Sequence, residues 1–204
     1  MVLSSKEIRE KFLDFFKKRG HVTVPSSSLI ASDPSVLLTT AGVQQFKPYY
    51  TGQLDSQKDF GSSRVVSIQK CFRTTDIDEV GDETHLTFFE MLGNFCFNDY
   101  WKKDAIKWAL EFLEGELKID HSRISATYFS GDKDLDVGSD GVSLSELNIY
   151  FKQDKITAHG RADNFWGPTG NEGPCGPTVE LYIDGIEVWN LVFNQYYQNP
   201  DKTL

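Results

Sequence analysis

The sequence predicts an α+β fold, an antiparallel sheet carrying helices on one side. Three observations carry the prediction. Strand-like segments come as hairpins rather than strand-helix-strand crossovers, amphipathic helices flank them, and neither G-x-G-x-x-G after a strand nor G-x-x-x-x-G-K-[ST] occurs. Any nucleotide site is therefore built differently from the two commonest nucleotide folds.

Residues 5–19 read as the first helix, because Ile8, Phe12, Phe15 and Phe16 recur at helical spacing, Ser4 and Glu7 fit a capping box, and Gly20 ends the pattern. That apolar face should pack on a sheet. Residues 36–39, 65–73 and 87–92 read as strands. The last two, separated by the acidic turn-forming stretch 74–83, form a long antiparallel hairpin. A second helix covers 104–117, where Ala105, Trp108, Ala109, Phe112 and Leu113 make one stripe behind Asp104 as N-cap. Residues 124–129 alternate like a strand and 143–149 read as a short helix. Residues 179–183 and 187–193 flank the Asp184-Gly185 turn as another hairpin.

With 204 residues, 39% hydrophobic and 13% aromatic, the chain has the apolar material for one globular domain spanning 1–204. A net charge of −9 excludes a domain whose task is to wrap a phosphate backbone by itself, so any nucleic-acid contact is local. The basic groups Lys17-Lys18-Arg19 and Lys102-Lys103 read as solvated helix ends. Apolar runs such as Leu191-Val192-Phe193 fall far below the roughly 20 residues a membrane helix needs, and no signal segment opens the chain. A cytoplasmic protein without a membrane partner is expected. Cys71, Cys96 and Cys175 sit far apart with no C-x-x-C pair or histidine cluster, so they read as reduced and structural, and no zinc is expected.

The first hairpin puts Arg73 at the end of one strand and His85 with Phe89 on its partner. Such a trio suits ATP: a guanidinium binds phosphate bidentately, an aromatic face accepts adenine, and a histidine donates to a terminal phosphate. A strand Phe also serves as core and an Arg near a loop is often solvated, so spacing leaves both readings open. The Gly- and Pro-rich segments Asp163-Asn164-Phe165-Trp166-Gly167-Pro168 and Gly173-Pro174-Cys175-Gly176-Pro177 fit a loop closing over a small ligand, with Trp166 as a pocket wall, or a rigid structural turn. In Trp189-Asn190-Leu191-Val192-Phe193, alternation puts Asn190 and Val192 on one face, offering an amide and a small apolar wall.

These pieces occur in the order found in alanyl-tRNA synthetases, and the chain resembles that family along essentially its whole length. The marks are residues 12–16 with Gly20-His21, Ser26-Ser27-Ser28-Leu29, Asp33-Pro34, Thr40-Ala41-Gly42 with Gln45-Phe46-Lys47, and Cys71-Phe72-Arg73. The most specific is Thr87-Phe88-Phe89-Glu90-Met91-Leu92-Gly93-Asn94-Phe95, and the three blocks described above complete the set. The resemblance implies a class II aminoacyl-tRNA synthetase fold. It implies an alanine-tRNA ligase that makes alanyl-adenylate from alanine and ATP with Mg2+, then esterifies tRNA(Ala). The hairpin would be the family's second motif. Arg73 would hold the α-phosphate, His85 would lie near the ATP phosphates and Phe89 would stack on adenine. Trp166, Asn190 and Val192 would line the alanine pocket with Val43 beside it. Glu180 would help hold magnesium, or is a solvated carboxylate.

The stretch 74–83 looks shorter than in many members and lacks their Gly-Gly-Lys element, for which Asp76, Asp78 and Glu79 cannot substitute. The family's third motif is expected beyond Leu204, as are the regions that read the acceptor stem, edit and bind zinc, so the catalytic domain is expected to be incomplete here. The tRNA acceptor end would be held mainly through those regions. Two other functions share these features: a carrier or amide ligase on the same adenylating core, and a non-catalytic binding module.

Overall fold

The computed structural model describes residues 3–31, 36–74, 77–82, 84–168 and 171–204. The chain forms two compact units, Met1–Asp99 and Tyr100–Leu204.

In the first unit, helix α1 (Ser5–Lys17) opens with the expected capping box. The Ser4 hydroxyl accepts from the Glu7 N–H, and the Glu7 carboxylate accepts from the Ser4 N–H at 2.8 Å. Its stripe buries Phe12, Phe15 and Phe16, and Arg9 Nε donates to Glu90 Oε2 at 2.7 Å, which ties the helix to the sheet. The helix ends before residue 19 because the chain turns at Gly20, at φ 82°, and the His21 N–H returns to the Phe16 carbonyl. Strand β1 (Val22–Thr23) follows. Two short helices, α2 (Lys47–Tyr50) and α3 (Ser56–Phe60), precede β2 (Arg64–Phe72) and β3 (Phe88–Cys96). The predicted hairpin is present: β2 and β3 pair antiparallel in unbroken register from Arg64 with Cys96 to Phe72 with Phe88. Strand β1 adds to β2 in parallel, a pairing the sequence reading did not foresee. Residues 36–39 do not form the predicted strand; an isolated bridge joins Leu38 to Ile30. An aromatic cluster covers one sheet face, with the Phe46 and Phe95 ring centroids 4.6 Å apart. The Phe95 ring fits because Gly42 and Gly93 flank it, where a Cβ would stand 3.2 Å and 2.5 Å from its Cζ.

In the second unit, α4 (Lys102–Leu110) begins before the predicted start and continues into π-type turns over Glu111–Glu116. Trp101, not Asp104, stands at the N-cap, and Asp104 lies inside the first turn, where its charge favours the helix N-terminus. Lys102 is no solvated helix end. It is 3% exposed and its Nζ donates to Asp140 Oδ1 at 2.8 Å and to Gln195 Oε1 at 3.1 Å, partners that offset its loss of water. Strand β4 (Ile124–Phe129) has the predicted bounds, and α5 (Gly141–Tyr150) includes the predicted helix, N-capped by Asp140. Then come β5 (Ile156–His159), α6 (Arg161–Asn164), β6 (Phe165–Trp166), β7 (Gly173–Ile183), β8 (Ile186–Val192) and β9 (Tyr196–Gln198). The sheet runs β5-β4-β7-β6, with β8 and β9 also pairing with β7. Only β4 with β5 is parallel among these pairs. Asp184 and Gly185, at φ 52° and 86°, make the predicted two-residue turn between β7 and β8. Ile124, Ala126, Val179 and Leu181 are buried where β4 crosses to β7. The fold is therefore α+β with mainly antiparallel sheets, as predicted, and each sheet carries one parallel pair.

Candidate functional site

Each unit carries its own group of the residues singled out by sequence. In the first, Arg73 extends the β2–β3 ladder past the last strand residue, its N–H donating to the Thr87 carbonyl at 2.8 Å. Its guanidinium lies 5.3 Å from the centroid of the Phe89 ring, and Nη2 donates to the Thr40 carbonyl at 3.1 Å. The hairpin thus brings Arg73 and Phe89 together: a planar cation held against an aromatic face. Phe89 is half-buried rather than core. Val43 follows Thr40-Ala41-Gly42, the segment that meets both Arg73 and β3, where the Gly42 N–H approaches Met91 Sδ at 3.3 Å. On β2, burial pushes the Cys71 thiol up to about 11, which keeps it protonated and inert at neutral pH.

His85 is not on the partner strand but in the turn before it. Asp82 Oδ1 accepts from the backbone N–H groups of Thr84 at 2.8 Å and His85 at 2.6 Å, while its other oxygen meets His85 Nδ1. On the other side of the ring, Nε2 lies 3.0 Å from Glu79 Oε2. The His85 backbone N–H and then its ring hold the Asp82 carboxyl well below the usual carboxylate range. The imidazole is thus fixed between two carboxylates of the acidic stretch, a pairing that strand periodicity cannot register. Asp76 and the mark Asp33-Pro34 lie outside the described residues.

In the second unit, directly paired strand residues share a face, and so do alternate ones along a strand. The register pairs Gly176 with Trp166, Thr178 with Val192, and Glu180 with Asn190. Trp166, Val192, Asn190 and Glu180 therefore lie on one face of three adjoining strands. The Gly-Pro segment 173–177, read as a loop or turn, is the first part of β7. Pro177 accepts through its carbonyl from the Phe193 N–H at 3.1 Å, so its missing N–H does not break the pairing. Gly176 answers to space: a Cβ there would stand 1.9 Å from the Phe193 carbonyl oxygen.

Glu180 is 5% exposed, so its reading as a solvated carboxylate does not hold. Oε1 accepts from Asn190 Nδ2 at 2.9 Å, and Oε2 accepts from the Tyr182 hydroxyl at 2.6 Å and from Thr127 Oγ1 at 3.2 Å. Burial, then Glu180 itself, pushes the Tyr182 hydroxyl further above its usual range. Beside them Asn164 is fully buried, donating to the carbonyl and hydroxyl of Thr178, while its Oδ1 has no partner. Sequence reading missed Thr127, Thr178 and Tyr182. Alternation from Glu180 along β7 signals the last two, but Thr127 is visible only through the β4–β7 register.

Among the described residues no group of three or more His, Cys, Asp or Glu side chains is placed to hold a metal ion, and no helix is long and apolar enough to cross a membrane.

Residues 7–187 match the family described as tRNA synthetases, class II (A). The alanine–tRNA ligase of Rubrobacter xylanophilus is 46% identical over 99% of this chain and 25% of its own length. That of Petrotoga mobilis is 41% identical over 98% of this chain and 24% of its own, and that of Treponema denticola 41% identical over 96% and 35%. The chain thus spans between about a quarter and a third of these relatives' lengths. Among solved structures, one titled as the RNA binding domain of threonyl-tRNA synthetase from Cryptosporidium parvum superposes with a TM-score of 0.53 at 14% identity, over 86% of this chain and 49% of that one. At that identity the likeness is one of fold.

Proposed function

The chain belongs to the family of class II tRNA synthetases (A), and from that premise we propose that it forms part of the catalytic domain of an alanine-tRNA ligase. Its substrates are alanine, ATP and tRNA(Ala), and its place of action is the cytoplasm. The observation that carries this reading is the Arg73 guanidinium held 5.3 Å from the Phe89 ring at the end of the hairpin. A flat cation beside an aromatic face suits a nucleotide phosphate beside its base.

In the first step the alanine carboxylate attacks the α-phosphorus of ATP; the new O–P bond forms as the bond to pyrophosphate breaks. Arg73 offsets the charge that builds on the α-phosphate oxygens, and Phe89 stacks on adenine and fixes the angle of attack. His85 stands near the terminal phosphates. Trp166, Asn190 and Val192 receive alanine. In the second step a terminal ribose hydroxyl of the tRNA attacks the alanyl carbonyl and AMP leaves. Magnesium arriving with ATP would supply charge neutralisation at the phosphates. The described residues do not fit a protein cage for it.

Alanine-dependent ATP–pyrophosphate exchange followed by tRNA(Ala) charging tests the reading. Both activities are expected of a polypeptide extended through the family's third motif and acceptor-stem regions, with glycine and serine as the nearest competing substrates, since one methyl group is worth only about 1–3 kcal/mol. Exchange without charging would identify a carrier or amide ligase. Absence of both with retained partner binding would identify a binding module.

A further inference from the structure

We propose that Glu180 is a positioning residue for amino-acid recognition: it turns the Asn190 side chain so that its carbonyl oxygen, not its NH2, accepts from the substrate's α-ammonium. The proposal rests on the reading that this sheet face receives the amino acid.

The two ends of an asparagine amide are told apart by their partners. A carboxylate accepts and does not donate, so the atom that meets Glu180 Oε1 at 2.9 Å is the Asn190 nitrogen, and the oxygen lies on the opposite side of the amide. Glu180 cannot swing to release it, because Oε2 is held by the Tyr182 hydroxyl at 2.6 Å and by Thr127 Oγ1 at 3.2 Å. Those two anchors come from β4 and β7, and the register sets Glu180 opposite both Thr127 and Asn190 of β8, so the orientation is built into the sheet. Tyr182 keeps its proton through the neutral range and remains a donor. Asn190 itself is exposed, whereas Glu180 is 5% exposed. The side chain that reaches substrate is therefore the amide, and the carboxylate stands behind it. Its donors are all neutral, so its charge adds to the preference for a cation at the Asn190 oxygen. A substrate carboxylate at that spot would meet an acceptor backed by a second acceptor. This assigns Glu180 to the amino acid rather than to magnesium.

The experiment is alanine-dependent ATP–pyrophosphate exchange by the parent protein, extended through the family's third motif, and by four variants of it. The readouts are KM for alanine, KM for ATP, and the magnesium concentration at half-maximal rate. Glu180→Gln lets the amide flip, and is expected to raise KM for alanine at least tenfold while KM for ATP and the magnesium midpoint stay within twofold. Asn190→Asp sets two carboxylates against each other and is expected to do the same. In Glu180→Gln/Asn190→Asp the donor moves to position 180 and the acceptor to 190, so KM for alanine should return to within about threefold of the parent. Tyr182→Phe loosens the carboxylate without removing it and keeps the test open if Glu180→Gln does not fold; a several-fold rise in KM for alanine alone is expected. A shift of the magnesium midpoint in Glu180→Gln would make Glu180 a metal ligand and overturn the proposal. So would an unchanged KM for alanine in Glu180→Gln or Tyr182→Phe, or a double variant no better than either single one. No exchange by the parent protein would instead overturn the proposed function, and this inference with it.

Discussion

Arg73 combines two properties that lysine cannot supply together, a planar fork and a face that lies against Phe89. If it offsets transition-state charge as proposed, Arg73→Lys keeps the charge, loses the geometry and costs about 2–4 kcal/mol. Pyrophosphate exchange is expected to fall by roughly 30- to 1000-fold, and a rate within a few-fold of the parent would refute the role. A second prediction belongs to His21, which is 4% exposed, with Nδ1 3.0 Å from the Phe16 carbonyl. Desolvation lowers its pKa to about 4, the Phe16 carbonyl raises it, and the charges of Arg64 and Asp99 oppose each other. The folded pKa lies below the unfolded value near 6.5, so the unfolded chain binds more protons between the two. Stability from this group is complete above about pH 6.5 and is lost as pH falls toward 4, by at most about 3 kcal/mol. Urea midpoints measured across that window should fall, and His21→Gln should flatten the slope. At this scale the sequence showed Arg73 and Phe89, because both sit at the ends of a periodic hairpin. It misplaced His85, because the partners that hold that ring, Glu79 and Asp82, belong to a turn with no period to read.

Elements with strong patterns were legible and those defined by long-range pairing were not. The spacing of Phe12, Phe15 and Phe16 and the Ser4–Glu7 box located α1 because one helical face carried the signal alone. The long hairpin and the turn at Asp184-Gly185 were legible for the same local reason. Strand β5 was missed because its pattern is too short, and only parallel pairing with β4 makes it a strand. Lys102 was misread because a helix end suggests solvent, while its burial depends on Asp140. The start of β7 was hidden by its glycines and prolines, yet the same residues admit the crossing chain. Gly176→Ala would press a methyl group into the Phe193 carbonyl, and backbone has little freedom to yield. The expected loss is about 3 kcal/mol, at the upper end of overpacking costs. Gly115→Ala, where a Cβ meets nothing within 4 Å, is the control and should stabilise by up to about 1 kcal/mol. Equal urea midpoints for the two variants would show that the close approach at Gly176 relaxes freely.

Composition measures apolar material and not how it is shared between the compact units Met1–Asp99 and Tyr100–Leu204. Each unit has its own sheet, and the second closes a core of Phe129, Val137, Phe165 and Cys175. A polypeptide of residues 100–204 is therefore expected to fold cooperatively, with a single urea transition seen alike by far-ultraviolet circular dichroism and tryptophan fluorescence. A broad, probe-dependent transition would refute this. The order of strands in that sheet also sets a schedule. Strand β4 pairs with β7, so Ile124 meets Ile183 only after everything between them has been made. At translation rates of about 5–20 residues per second, the half-built sheet waits several seconds at the ribosome with an apolar strand edge uncovered. During synthesis that edge is where a chaperone has time to bind and where neighbouring nascent chains have time to associate.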